Sequence, residues 1–470
     1  MAAVLDHPTR LSPPRDRAEA GRAARARVPR EAHGEWSPPA GRADPVELLQ
    51  TQAVSRVPEL VPIRYGRMLA SPFAFYRGAA LVMANDLAET PMSGFTAQAC
   101  GDAHASNFGV FGTPERDLLF DVNDFDETLP GPWEWDVKRL AASLAIAGRE
   151  VDFDRQAREA IVAACVRSYR GAMKGFAAMH NLDVWYARLD TTVIQQWRSQ
   201  AGKKQVKKAE KVAAKARAKD SSRGLSKLTT EEDGELRFLS QPPLLVPLVD
   251  LLPTRQRSEV TSFIQMLIEQ YAQTLRPELQ DLLAGYRVVD TARKVVGVGS
   301  VGTRAWVILL LGRDGHDPLI LQAKEAQASV LEAFVGASRF DNHGERVVVG
   351  QRRMQAASDI FLGWVRATGV DGLERDFYIR QLWDWKGSVE LDSGVPSGLS
   401  VYGQLCGWTL ARAHARSGDP IAISAYLGSA DVFDRAVTRF AETYADLNES
   451  DYRRLAAAVQ SGNVAAEAGV

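Results

Sequence analysis

The chain is short of the side chains from which metal centres and disulfide frameworks are made. It has three cysteines in 470 residues, Cys100, Cys165 and Cys406, odd in number and without zinc-type spacing. They suit a reducing compartment, and a cytoplasmic location is expected. The seven histidines are scattered, which argues against a binuclear phosphoesterase centre built from Asp and His clusters. No apolar run reaches the length of a membrane span, and the first residues contain no hydrophobic signal core. A formal net charge of −1 gives no whole-chain attraction to nucleic acid or to a lipid surface. A Walker-type Gly-Lys-Ser/Thr phosphate loop is also missing.

What remains is the composition of an ordinary globular protein, 46% hydrophobic and 24% charged. The length predicts two lobes rather than one core. Residues 1–44 carry eight arginines among prolines and alanines, which predicts a disordered tail. Helical periodicity dominates 45–285, read as the first part of a large helical lobe. From 286 to 385 the texture changes to β-rich runs with glycine turns, including "GRDGHD" as a hairpin loop, and predicts a small nucleotide-binding lobe. Residues 386–470 return to helices and complete the large lobe. Between Gly202 and Lys227 lie ten lysines and arginines against two acids. With no interleaved aromatics, that run reads as an exposed helix rather than a nucleic-acid or membrane contact.

The chemistry is concentrated in four places. In "VVGVGSVGTRAWVILLL", Gly297, Gly299, Ser300 and Gly302 lie between two strand-like runs. A dinucleotide-binding turn would open a helix instead. A glycine loop between strands fits the flap that covers nucleotide phosphates in protein kinases, where missing side chains let the backbone approach. "PLILQAKEA" then places Lys324 on the next strand, where a lysine can pair with α- and β-phosphates. A carboxylate from the following helix should hold that lysine: Glu345 is the first choice, with Glu332 and Gln351 as alternatives. Leu382 and Trp383, in "YIRQLWDW", stand where a hinge would contact the nucleotide base.

The remaining two places come much earlier. "CGDAHASNFG" sets Asp102 five residues before Asn107, the separation of the orienting acid and the metal-binding amide in kinase catalytic loops. "FDVNDFDE" follows, with Asp124 and Asp126 as magnesium ligands and Asp121 and Glu127 as further acids. His104 reads as a loop brace. Arg77 in "FYRGAA" suits a phosphate or acceptor contact, or a partner for a helix acid, and Arg67 and Lys386 are weaker candidates of the same type.

These motifs, with "RMLASPFAFYRGAA" and "WDVKRLAASL", resemble a bacterial family known as a domain of unknown function, over about residues 45–460. More remotely, "GDAHASN", "NDFD" and "WD" are similar to the aminoglycoside phosphotransferase branch of the kinase-like superfamily. That resemblance implies Asp102 as the catalytic aspartate, Asn107 and Asp124 as metal ligands, and Asp136 as a structural brace. Three departures stand out: Cys100 replaces the family's leading histidine, the small-lobe motifs follow the catalytic ones, and no hinge signature is present, though "YIRQLWDW" would occupy its place. "LARAHARSGD" (Leu410–Asp419) looks like the helix that normally precedes the catalytic loop, yet it lies near the C-terminus. The expectation is therefore an α+β, two-lobed, circularly permuted kinase-like fold, with a mainly helical large lobe and a small antiparallel-sheet lobe. Its expected function is ATP- and magnesium-dependent phosphoryl transfer to a small-molecule hydroxyl, with no nucleic-acid or membrane partner. Nucleotidyl (AMP) transfer, a nucleotide-binding regulatory pseudoenzyme and metal-dependent phosphoester hydrolysis are the alternatives.

Overall fold

The computed structural model describes residues 11–190, 211, 213–217, 221–232, 234–252, 257–369, 371–382, 385–388 and 395–469. Its N-terminal part is helical: α1 (Pro14–Arg27), α2 (Pro45–Ala53), α3 (Val61–Met68), α4 (Pro72–Gly78) and α5 (Ala80–Ala88). Proline supplies the first turn of each of the first four, where its fixed φ and missing N–H cost nothing. Asp44 caps α2 through the N–H groups of Val46 and Glu47.

The strands β1 (Thr96–Ala99), β2 (Phe108–Gly112), β3 (Leu118–Val122) and β4 (Leu129–Pro132) come next. β2 and β3 form the hairpin around "GTPERD" that the sequence suggested, and β1 pairs with β4. The long α6 (Trp133–Glu150) and α7 (Arg155–Ala177) then cross the centre of the large core. α6 is buried along almost its whole length, and Trp133 at its start stacks on Tyr169 with ring centroids 5.6 Å apart.

The β-rich unit is a six-stranded antiparallel sheet. Its strands are β5 (Leu245–Pro247), β6 (Arg287–Lys294), β7 (Ala305–Leu311), β8 (Pro318–Ala326), β9 (Gly363–Thr368) and β10 (Glu374–Gln381), in the order β9-β10-β8-β7-β6-β5. The glycine loop joins β6 to β7, and "GRDGHD" turns β7 into β8. One sheet face is covered by α8 (Arg257–Ala272): Val260, Ile264, Ile268 and Tyr271 pack on Ile308, Leu310 and Leu321. The sheet unit thus begins well before residue 286, because β5 and α8 belong to it rather than to the helical part. Between β8 and β9 lies α9 (His343–Met354), whose Val347, Val348 and Met354 join the large core. The chain closes with α10 (Pro396–Ser417), α11 (Pro420–Leu427) and α12 (Val432–Gln460).

The predicted disorder of 1–44 is corrected from Leu11 onwards. α1 docks on α11 through a small-residue face: a Cβ at Gly21 would stand 2.2 Å from the Ala422 carbonyl oxygen. Arg17 pairs with Asp419, the cap of α11, at 2.7 Å. The buried His33 meets the Tyr426 hydroxyl at 2.6 Å, and Trp36 packs between Phe440 and Tyr444. The arginines suggested solvation, but four of the seven described, Arg17, Arg25, Arg30 and Arg42, serve as anchors. Of the basic run 202–227, residues 202–210, 212 and 218–220 lie outside the described residues. No helix among the described residues is long and apolar enough to cross a membrane.

Candidate active site

The motifs that are far apart in the chain line one cavity of about 180 Å³. Asp102, His104 and Asn107 form one wall, and Asp124, Asp126 and Glu127 form the next. Gly297, Gly299 and Ser300 close it from the sheet side, and Arg77 from α4. The two acidic loops are tied together by their backbones: Asn123 N–H donates to the Asn107 carbonyl at 2.8 Å.

Asp102 is held by α6. Arg139 donates to its Oδ1 at 2.6 Å through Nε, while the same guanidinium also donates to the Tyr76 carbonyl and lies 4.4 Å from the Tyr76 ring centroid. The buried His104 places Nε2 3.7 Å from Asp102, and burial pushes its pKa down to about 3. Among the described residues its ring makes no hydrogen bond, so the expected bracing through the imidazole is not seen. The loop is tied by backbone bonds instead, His104 N–H to the Asp102 carbonyl and Asn107 N–H to the His104 carbonyl. Asn107 donates through Nδ2 to the Asp102 carbonyl at 2.8 Å, which fixes the loop and leaves Oδ1 as an acceptor.

Asp136, one turn before Arg139 on the same helix face, holds the loop from below. Its carboxylate accepts from the N–H groups of Cys100 at 2.6 Å and Gly101 at 3.0 Å, and His414 Nε2 lies 3.1 Å away. Gly101 has φ +80, and a Cβ there would stand 2.4 Å from the Glu127 carbonyl oxygen, so only glycine fits between the two loops.

Lys324 on β8 reaches the acidic wall, with Nζ 2.5 Å from Asp126 Oδ2. Tyr378, directly opposite in the β8–β10 register, donates to Asp126 Oδ1 at 2.6 Å. Burial alone would lower the lysine pKa, but Asp124 and Asp126 outweigh it and hold the ammonium charged. Ser300 of the glycine loop donates to the same Asp126 Oδ2 at 3.2 Å. The loop is thus latched onto the acidic wall.

This geometry corrects three expectations. The carboxylate facing Lys324 is Asp126, not Glu345, Glu332 or the neutral Gln351. α9 instead turns Arg346 inward, where it donates to the carbonyls of Thr128, Asp126 and Gln327 at 2.7–2.9 Å. Glu332 stands 3.8 Å from that arginine, and Gln351 bonds Gln355. Asp126 in turn has both oxygens committed to protein donors, so it is not an open metal ligand. Leu382 is buried against Leu228, Phe238 and Ile320, away from the cavity. Trp383 lies outside the described residues.

Of the three predicted magnesium ligands, Asp124 through its carboxylate and Asn107 through Oδ1 stay open on the cavity wall. Asp124 accepts only a 3.3 Å contact from Asp126 N–H, and burial, which would raise its pKa, is outweighed by Lys324, Arg380 and Lys386. No group of three or more His, Cys, Asp or Glu side chains among the described residues is placed to hold a metal. One carboxylate and one amide oxygen fit magnesium, which keeps waters and takes phosphate oxygens as its other ligands.

The glycines are explained in part without any ligand. Gly297 has φ +67, and Gly302 has φ +89. A Cβ at Gly299 would stand 3.1 Å from the Arg77 carbonyl oxygen, and one at Gly302 3.0 Å from Arg56 Cβ. Arg67 donates to the Gly297 carbonyl at 2.7 Å, so its place is on the loop's backbone. Sequence reasoning missed Arg56, Arg139, Arg346 and Tyr378. Arg139 alone had a local signal, three residues after Asp136 on one helix face; the others depend on long-range register.

Fold and site together define a mixed α+β protein in which an antiparallel sheet and a helical core share an acidic cavity, with Lys324 buried behind its wall against Asp126. The chain belongs to DUF2252, a family described as "uncharacterized protein conserved in bacteria", whose profile matches residues 56–458. No curated protein and no solved structure matched the chain.

Proposed function

We propose that this protein is an ATP- and magnesium-dependent phosphotransferase on a circularly permuted kinase-like arrangement. One observation carries the reading: Lys324, on the strand after the glycine hairpin, meets the "NDFD" loop 198 residues away in sequence, beside Asp102 and Asn107. The permuted order has its own support. The C-terminal end of α10 adjoins β1, where Ser417 Oγ accepts from Gln98 N–H at 2.9 Å. Joining α10 to β1 would restore the order helix, catalytic loop, metal loop.

In this reading ATP enters beneath the glycine loop, which must lift, since about 180 Å³ is below the roughly 300–1,000 Å³ of small-molecule sites. Lys324 exchanges Asp126 for phosphate oxygens, and backbone N–H groups of the loop approach the phosphates. Magnesium held by Asn107 and Asp124 would neutralise charge on the phosphate chain. Asp102, fixed by Arg139, orients the acceptor hydroxyl and receives its proton as the acceptor oxygen bonds phosphorus and ADP departs.

The test is mass spectrometry of small-molecule extracts incubated with the full chain, ATP and magnesium. The reading expects a product carrying phosphate that disappears with Asp102→Ala. A product carrying AMP indicates nucleotidyl transfer instead. ATP binding with no product, unchanged by Asp102→Ala, indicates a regulatory binding module.

A further inference from the structure

Beside the acidic wall, under the glycine loop, three guanidinium groups come together from α3, α4 and the turn after α2. Arg56 is 6% exposed and Arg64 fully buried, while Arg77 is part-buried; Arg56 and Arg77 line the cavity. Among the described residues none of the three forms an ion pair. Their bonds go to neutral acceptors: Arg56 to the Val301 carbonyl, and Arg64 to Gln52 Oε1 and the Gly78 carbonyl. Nε of each is buried without a partner, as is Nη1 of Arg64. Among the other enclosed arginines that are described, Arg346 and Arg416 also rest on backbone carbonyls, whereas Arg42, Arg139 and Arg412 each meet a carboxylate at hydrogen-bond distance.

Burying a guanidinium without a counter-ion is costly, and setting Arg56 beside Arg64 adds repulsion between them. Burial lowers the pKa of all three, with Arg56 further opposing Arg64. The cavity acids offset this only from a distance: Glu127 acts on Arg56 and Arg64, and Asp102 and Asp124 act on Arg77. None pairs with them, Asp102 being taken by Arg139 and Asp126 by Lys324. The glycine loop has no side chain where it passes the Arg77 backbone carbonyl, at Gly299, or the Arg56 side chain, at Gly302.

We propose that Arg56 and Arg77, backed by Arg64, form an anion subsite that binds a phosphate group of a substrate. The planar fork of arginine matches phosphate oxygens, and a bound dianion supplies the missing counter-charge. The phosphate could belong to the nucleotide chain or to a phosphorylated acceptor; the chemistry recognised is the same. The subsite goes beyond the phosphotransferase reading and does not require it.

The test is isothermal titration of sodium pyrophosphate, without nucleotide or added metal, into the full chain and into Arg77→Gln, Arg56→Gln and the remote surface variant Arg435→Ala. The wild type and Arg435→Ala should bind alike. Each of the other two should bind at least about tenfold more weakly, the loss of one charged hydrogen bond. If Arg56→Gln unfolds, the part-buried Arg77→Gln decides alone. No binding by the wild type, or undiminished binding by Arg77→Gln, overturns the subsite. A second titration adds ATP and magnesium. Competition with pyrophosphate assigns the subsite to the nucleotide's phosphates, and simultaneous binding assigns it to a phosphorylated acceptor; both support it.

Discussion

Ser417 and Gln98, 319 residues apart, are joined by a 2.9 Å hydrogen bond between side-chain oxygen and backbone N–H. The contact puts the end of α10 where the chain leads into the loop that carries Asp102 and Asn107. His414, one turn earlier on α10, shares Asp136 with the backbone of Cys100 and Gly101. The early and late parts of the chain therefore build one loop support, and chain order is a poor guide to spatial order here.

Asp136 should be the most sensitive point of that support. Asp136→Ala leaves two buried N–H groups and His414 without their acceptor, which should cost about 3–5 kcal/mol. Urea unfolding would show it as a lowered midpoint at unchanged slope. A cost under about 1 kcal/mol would mean that the loop supports itself.

The latch between Ser300 and Asp126 should govern access. Ser300→Ala removes one hydrogen bond to a part-buried carboxylate, so amide exchange across 297–303 should rise several-fold while global stability changes by less than about 1 kcal/mol. Hydrogen exchange read by mass spectrometry checks both. Unchanged exchange would show that the loop is held by Arg56 and Arg67 instead.

The docking of α1 rests on close approach at Gly21. Gly21→Leu cannot be placed against the Ala422 carbonyl and should release the helix, exposing its arginines to trypsin. Cleavage within residues 15–30 should become much faster than in the wild type, with the rest of the chain staying resistant.

Acid should loosen the same region through His33. Burial, then the neighbouring positive Lys138, push its pKa down to about 2 from 6.5. A folded-state pKa below the unfolded value means stability that is present above about 6.5 and lost as pH falls towards 2. The loss is up to about 1.4 kcal/mol per pH unit. Denaturant midpoints measured from pH 7 to 4 should fall more steeply for the wild type than for His33→Gln. Parallel slopes would remove His33 from the account.

The legible parts of the sequence were those with local signals. The glycine hairpin, the Lys324 strand, the β2–β3 hairpin and the loop from Asp102 to Asn107 all stand where their spacing placed them. What the sequence hid were pairings set by register and topology. Tyr378 faces Lys324 only because β10 and β8 pair at that residue. Asp126 became the lysine's partner because the "NDFD" loop brings a carboxylate to β8, whereas α9 turns Arg346 inward there. The order of 11–44 was hidden by arginines whose carbonyl and carboxylate partners lie about 400 residues away on α11.

The central claim is that the cavity under the glycine loop is a nucleotide site in which Lys324 meets phosphate. Isothermal titration of ATP with magnesium into the full chain tests it most directly. The account predicts a single saturable site, weakened at least about tenfold by Lys324→Met and by Asp124→Asn, and unaffected by Arg435→Ala. No binding by the folded wild type, or binding that Lys324→Met leaves unchanged, would contradict it.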